Sequence, residues 1–249
     1  MEVFLNNQFS LKNKKREKTV LLLQNKNVFT PTETTRFLIK GLLKNFPKKK
    51  INILDLGCGN GVIGIYLLKN YSNINLVVFS DVSKDAIKIT KKNCNLNEIH
   101  ENQYKLIKSN VFDKIPNIKF DIIINDVSGI SSKVAKMSDW FNNVPCNSGI
   151  DGTKLTIKVL KNFNTFLKPN GRLYFPIISL SNENKIYLFM KKKKIKYKHI
   201  SLNSWPIPKF MYKFKTSLVR LNKTKNINFV EKYGLLIANT KIIKIENLN

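Results

Sequence analysis

A short apolar run, Ile51-Asn52-Ile53-Leu54, leads into Asp55-Leu56-Gly57-Cys58-Gly59-Asn60-Gly61, and the apolar pattern resumes at once from Val62. Three alternating glycines between a strand-like and a helix-like segment leave few folds open. Glycines there permit a tight turn and let the backbone approach a ligand with no Cβ in the way. The N–H groups of such a loop, with the start of the following helix, favour a carboxylate or phosphate. Twenty residues past Gly61, Asp81 follows a second predicted strand at 76–79, placed to accept hydrogen bonds from ribose hydroxyls. Gly59-x-Gly61-x-x-Gly64 also satisfies the dinucleotide pattern G-x-G-x-x-G, so a nicotinamide-dependent oxidoreductase stays open at this point.

The rest of the chain repeats the strand, turn and helix pattern. Strands are expected at 51–56, 76–79, 104–108, 121–124 and 172–178, with helices at 62–70, 84–95, 154–166 and 182–190. Alternation of this kind implies βαβ units and a parallel sheet. Thr30-Pro31-Thr32-Glu33 reads as a capping box opening a helix over 31–45, with Thr30 as its N-cap and Phe37, Leu38, Leu42 and Leu43 at helical spacing. Residues 1–29, a basic run at 12–18 and an apolar one at 20–23, read as an N-terminal extension or hairpin, and 30–249 as one domain. Towards the end come a Lys-rich stretch, a Trp205-Pro206-Ile207-Pro208 loop, and strands near 217–221 and 233–245.

Composition narrows the function. With 43% apolar residues the chain can bury a sizeable core, and no run of eighteen apolar residues suggests a membrane span. The first residues, Met1-Glu2-Val3-Phe4, lack a signal-peptide pattern, so a cytoplasmic location is expected. Three cysteines (58, 94 and 146) and two histidines (100 and 199) leave no disulfide framework, zinc cluster or Ser-His pair to build on. The net charge of +28 attracts RNA and acidic partners non-specifically. It comes from forty Lys and only four Arg (16, 36, 172 and 220), in a chain also crowded with Asn and Ile. That triad fits compositional drift over every solvated face, and Arg is the residue of bidentate phosphate contacts.

The arrangement Asp55-x-Gly57-Cys58-Gly59 resembles motif I of class I S-adenosylmethionine-dependent methyltransferases. Ser109-Asn110-Val111-Phe112-Asp113 resembles the segment bracketing adenine in that superfamily, with Asn110 where an Asp is usual, and Lys168-Pro169-Asn170-Gly171-Arg172-Leu173 resembles its L-K-P-G-G-x-L turn. Within the superfamily the chain looks most like the release-factor glutamine methyltransferases and the related small-domain methyltransferases. Glu33-Thr34 resembles their P-E-T segment, 120–124 their strand before the catalytic loop, and Gly149-Ile150-Asp151-Gly152 their G-x-D-G. The resemblance implies a Rossmann-like α/β fold with a mainly parallel seven-stranded sheet flanked by helices. It also implies S-adenosyl-L-methionine as cofactor, held by Asp55, Gly57, Cys58, Gly59, Gly61, Asp81, Asn110 and Val111.

The family's N-P-P-Y loop is replaced here by Asp126-Val127-Ser128-Gly129, so glutamine-amide specificity does not simply carry over. Asp126 is the expected catalytic residue, able to orient an amine or take its proton, or else a capping acid on a following helix; Asn125 is the second candidate. Trp140, Phe141 and Trp205-Pro206 are candidates for a substitute aromatic wall. The resemblance points to a protein of the translation machinery as substrate. RNA methylation and a catalytically inactive cofactor- or RNA-binding module are the alternatives.

Overall fold

The computed structural model describes residues 4–11, 17–141, 143–144 and 146–247. In chain order the elements are β1 (Phe4–Phe9), β2 (Val20–Gln24), α1 (Glu33–Leu43), β3 (Ile51–Leu56), α2 (Val62–Asn70), β4 (Ile74–Asp81), α3 (Lys84–Leu96), β5 (Tyr104–Lys108) and β6 (Phe120–Asn125). There follow α4 (Ser132–Met137), α5 (Lys154–Phe166), β7 (Leu167–Ile178), α6 (Glu183–Lys192), β8 (Tyr197–Pro206), α7 (Lys215–Lys223), β9 (Val230–Lys232) and β10 (Leu235–Glu246).

The main sheet runs in the order β5-β4-β3-β6-β7-β10-β8, with the three-residue β9 added on β10 as an eighth strand. Strands β3 to β7 are parallel, and β10 lies antiparallel to both β7 and β8. A doubly wound dinucleotide sheet of the usual kind is mostly parallel to its end, so the reversed β10 weighs against the nicotinamide alternative. The central strands are apolar on both faces because helices cover both. Ile53, Ile122 and Ile124 pack in one layer with Leu38, Leu42 and Ile65. Leu54, Leu56 and Ile123 pack in the other with Val159, Leu160 and Phe163 of α5. Alternate residues of one strand thus serve opposite layers, as the two-residue period of a strand requires. No helix among the described residues is long and apolar enough to cross a membrane.

Three expectations are corrected. Thr32, not Thr30, precedes α1; the Thr30 hydroxyl instead accepts a hydrogen bond from Gln24 Nε2 at 3.2 Å. Residues 217–221 lie within helix α7, where Leu218 and Leu221, one helical turn apart, are buried. An apolar run that short fits either period, and packing decided it. The Lys-rich stretch and Trp-Pro loop contain the ten-residue strand β8, which ends at Pro206. Its side chains are mostly exposed, so its order comes from pairing with the Ile-rich β10, and lysines are well tolerated on an edge strand.

The antiparallel β1–β2 hairpin packs on the domain, with Phe9, Leu11, Val20 and Leu22 buried against the layer that holds α2. Residues 1–3 and 12–16, the latter most of the expected basic run, lie outside the described residues. Asn93 of α3 and Asn97, which caps its C-terminal end, dock the free side of β2. Asn93 Oδ1 accepts from the Leu23 amide at 2.7 Å and its Nδ2 donates to the Leu23 carbonyl at 3.1 Å. Asn97, one turn on, does the same with Leu21 at 2.9 and 2.7 Å. Asn93 Nδ2 also reaches the Asn60 carbonyl at 2.9 Å, and Gln24 Oε1 accepts from Asn60 Nδ2 at 3.0 Å, so the hairpin bears directly on the glycine loop. Asn93→Ala leaves the Leu23 amide and carbonyl without these partners and is expected to cost about 2–3 kcal/mol, read from urea unfolding.

Candidate functional site

The chain builds β3, β4 and β5 outward, then returns to place β6 on the other side of β3. Loops leaving the carboxyl ends of β3 and β6 therefore part in opposite directions, and a crevice opens between them, where open α/β sheets bind ligands. Here the two strand ends stay joined by a hydrogen bond of 3.0 Å from the Asp126 amide to the Leu56 carbonyl. A cleft of about 620 Å³ opens above this junction.

The glycine loop forms one wall. Its amides are largely committed within the protein. Those of Gly57 and Cys58 donate to the Ser80 carbonyl at 2.8 and 3.0 Å, Gly59 donates to Asp81 Oδ2 at 3.0 Å, and Gly61 to the Cys58 carbonyl at 2.8 Å. The loop is thus a shaped backbone wall rather than the open anion nest expected from the glycine spacing. Gly57 has φ of +72°, and a Cβ there would sit 3.0 Å from the Val127 backbone, so this position demands glycine. Gly64 is demanded by space instead: a Cβ would lie 2.2 Å from the Phe79 ring, where α2 presses on β4.

Of the ten residues expected at the site, Gly57, Cys58, Gly59, Asp81, Asn110, Val111 and Asp126 line this one cleft. Asp55, Gly61 and Asn125 lie behind it: Gly61 precedes α2, and Asp55 and Asn125 are buried. Asp81 holds Gly59 with one oxygen and the Ser83 amide with the other, at 2.8 Å. Burial raises its pKa above the usual carboxylate value, against the pull of those amides. Asn110 is exposed, while Val111 is held at φ of +58°, a conformation that strains a β-branched residue by about 1–3 kcal/mol. Ser109 stabilises this bend, its hydroxyl donating to the Val111 carbonyl at 3.0 Å and accepting from the Lys114 amide at 2.9 Å.

Asp126 lines the cleft at the end of β6. It does not cap α4, whose N-cap is Ser131 with its hydroxyl accepting from Lys133. Its Oδ2 accepts from the Thr35 hydroxyl of α1 at 3.1 Å, and its other oxygen has no protein partner among the described residues. Removal from water pushes its pKa up to about 7, with the Thr35 hydrogen bond acting the other way. Trp140, Phe141 and Trp205 line the same cleft, while Pro206 does not. Phe29 joins them, its ring 5.0 Å from that of Phe141. Thr35 and Phe29 were not legible as site residues, since nothing in their spacing separates them from helix and loop neighbours.

The residues present fit S-adenosylmethionine. Asp81 retains lone pairs for hydroxyl donors, the bend at Asn110 and Val111 offers an edge for a flat base, and a Cβ at Gly59 would meet only the Phe29 carbonyl at 3.8 Å, so the wall stays open there. Among the described residues that line the cleft, the charged ones are Glu33, Asp81 and Asp126; none is Lys, Arg or His. Such a lining suits a sulfonium and an ammonium group better than it suits a phosphate.

Comparison with known proteins agrees with this geometry. Residues 20–126 match the family model of the methyltransferase small domain. The chain is similar to the bifunctional methyltransferase of Rickettsia prowazekii, 33% identical over 144 residues that cover 56% of this chain and 27% of the relative. It is also similar to the release factor glutamine methyltransferase of Borreliella burgdorferi, 30% identical over 152 residues that cover 59% of this chain and 52% of that one. The chain therefore spans about a quarter of the first and half of the second. Among solved structures, that of the E. cuniculi Mtq2–Trm112 complex superposes with a TM-score of 0.53 at 16% identity, covering 89% of this chain and 99% of that one. It shares the Rossmann-like methyltransferase fold.

Beneath the glycine loop, Asp55 Oδ2 accepts from the Gly64 amide at 3.1 Å, and its Oδ1 has no hydrogen-bond partner among the described residues. Burial first, then the nearby Asp126, push its pKa up to about 8, with the Gly64 amide acting against them. Between about pH 4 and 8 the folded Asp55 keeps a proton that the unfolded chain has lost, so this carboxyl makes stability fall as pH rises through that window. Asp55→Asn keeps an acceptor for Gly64 and does not titrate. Its melting temperature is expected to drop less than the wild type's between pH 5 and pH 8; equal drops in both proteins would show that the buried carboxyl is not the source.

Proposed function

We propose that this chain, whose residues 20–126 match the family model of the methyltransferase small domain, is an S-adenosylmethionine-dependent enzyme that methylates a protein substrate. The observation that carries this reading is the position of Asp126. It is a carboxylate with one free oxygen, lining the same cleft as the glycine loop and beside the strand junction. The release-factor relatives support a protein acceptor and, through it, a place in translation.

When bound, S-adenosylmethionine supplies a methyl group already activated on a sulfonium. The protein's task is then positioning and exclusion of water more than strong base catalysis. The walls at Gly57 to Gly59 and at Asn110 and Val111 would hold the cofactor, and Asp81 would accept from its hydroxyls. Asp126 orients an acceptor N–H and receives its proton, and Thr35 holds the carboxyl in line. Val127, Ile130, Ile178 and Leu180 make this end of the cleft apolar, which strengthens each polar contact within it. Methylation of RNA is the second reading, favoured by the +28 net charge and disfavoured by the absence of a cation from the described lining.

Three measurements test the proposal. Asp81→Ala is expected to weaken S-adenosylhomocysteine binding by about 1.5–3 kcal/mol in calorimetry; unchanged affinity removes Asp81 from the cofactor site. Asp126→Ala is expected to bind cofactor normally and to abolish methyl transfer from labelled cofactor to extract protein. Activity should rise as Asp126 ionises near pH 7. Because the Thr35 hydroxyl favours the ionised form, Thr35→Val should move this acid limb to higher pH, while Thr35→Ser should restore it.

A further inference from the structure

We propose that the acceptor is an aliphatic primary amine, a lysine side chain or a chain-terminal amine, entering as its ammonium form into a site walled by Asp126, Trp140, Phe141 and Trp205. This rests on the protein-methyltransferase reading and names the substrate group within it.

Three independent observations converge on an ammonium ion. The first is the inversion of charge. In a chain with 44 basic residues against 16 acidic ones, the described lining of the cleft holds acids and no base. Of those acids, Glu33 is paired with Arg36 at 3.1 Å and Asp81 uses both oxygens on backbone amides, which leaves Asp126 with the free oxygen.

The second is the disposition of the rings. Trp140 meets Trp205 at a centroid distance of 6.2 Å and an interplanar angle of 68°, and Phe29 meets Phe141 at 39°. A flat base or amide is gripped between parallel faces, and neither of these pairs is parallel, whereas the π-faces of rings lining one cleft attract a compact cation. Trp205 is fixed in this orientation by its indole N–H, which donates to Thr240 Oγ1 at 2.9 Å.

The third is the exchange of Asn for Asp at the head of the catalytic loop. A carboxamide acceptor presents a carbonyl and an NH2 together and pairs best with another amide, which both donates and accepts. An ionised carboxylate accepts only. Asp126 therefore leaves an amide carbonyl unsatisfied, whereas an ammonium offers three donors and a countercharge.

The step balances. The ammonium gives one proton to Asp126, and the apolar surroundings favour this neutral pair over the ion pair. The freed nitrogen lone pair forms the N–C bond to the methyl group as the C–S bond breaks, its electron pair staying on sulfur as the thioether. The N-methylammonium product loses its extra proton, or keeps it, on release to water, and Asp126 returns its proton to solvent.

The test uses the full chain with methyl-tritiated S-adenosylmethionine and cell extract, followed by acid hydrolysis of the labelled protein. Methylated amines survive hydrolysis as non-volatile amino acids, whereas a methylated carboxamide releases volatile methylamine. Label in N-methyl-lysine or an N-methylated terminal residue is the expected result. Volatile methylamine overturns the amine assignment and leaves the protein-methyltransferase reading standing; nuclease-sensitive label in RNA overturns both. A binding experiment decides independently of the extract. With S-adenosylhomocysteine bound, Nα-acetyl-lysine amide should bind at least about tenfold tighter than Nα-acetyl-glutamine amide. Asp126→Asn should erase that preference. Equal binding, or tighter binding of the glutamine compound to the wild type, overturns the proposal.

Discussion

The hydrogen bond between the Asp126 amide and the Leu56 carbonyl joins the ends of two parallel strands whose following loops turn away from each other. Everything at the candidate site is measured from that junction. On one side the chain must turn within three residues, so Gly57 takes a left-handed conformation and lies against Val127 with no room for a Cβ. On the other the chain delivers Asp126 to the cleft wall, where α1 meets it through Thr35. Beneath, the fully buried Asp55 ties the strand end to α2 through Gly64. Burial first, and the neighbouring Asp126 second, raise the proton affinity of Asp55, so the junction couples this buried acid to the cleft.

The charge of the molecule is segregated by depth. Lysines occupy the solvated faces, where hydration stabilises them, and are absent from the described cleft lining. Away from the cleft and the strand junction, the buried acids Asp121 and Glu183 are paired with lysines. Asp121, beside Lys168 at 2.7 Å and Lys49 at 3.4 Å, is buried, yet the Asn52 amide and those partners hold its pKa below the usual carboxylate range. Asp126 has no such cation, and its pKa moves the opposite way. Composition alone would have predicted a basic site; burial selects a different subset of residues.

How much was legible in the sequence depends on whether local physics or packing decided the outcome. Strands β3 and β6 have near-continuous apolar runs, and the Asp55 to Gly61 loop needs its glycines for backbone reasons, so both are readable residue by residue. Helix α5 also falls where its 3.6-residue pattern puts it. The β8 strand was settled by a partner far along the chain, the Ile-rich β10, the α7 segment by burial of Leu218 and Leu221, and Thr30 was drawn from the expected cap by a hydrogen bond from nearby Gln24. The acid Asp126 was visible as an oddity in a familiar pattern. Its partner Thr35, 91 residues away, was not, because a hydroxyl in the first turn of a helix carries no sign of what it will face.

Two-stranded ribbons are marginal alone, yet β1–β2 is ordered beside a wide sheet to which it does not belong. Asn93 and Asn97 explain this, because a primary amide carries the same donor and acceptor as a peptide group. Spaced one helical turn apart, they meet Leu23 and Leu21, which stand two residues apart on the strand. The 6 Å rise of four helical residues roughly equals that of two strand residues. Helix α3 thereby imitates a neighbouring strand, so this ribbon edge is closed without a third strand and offers no template to another chain.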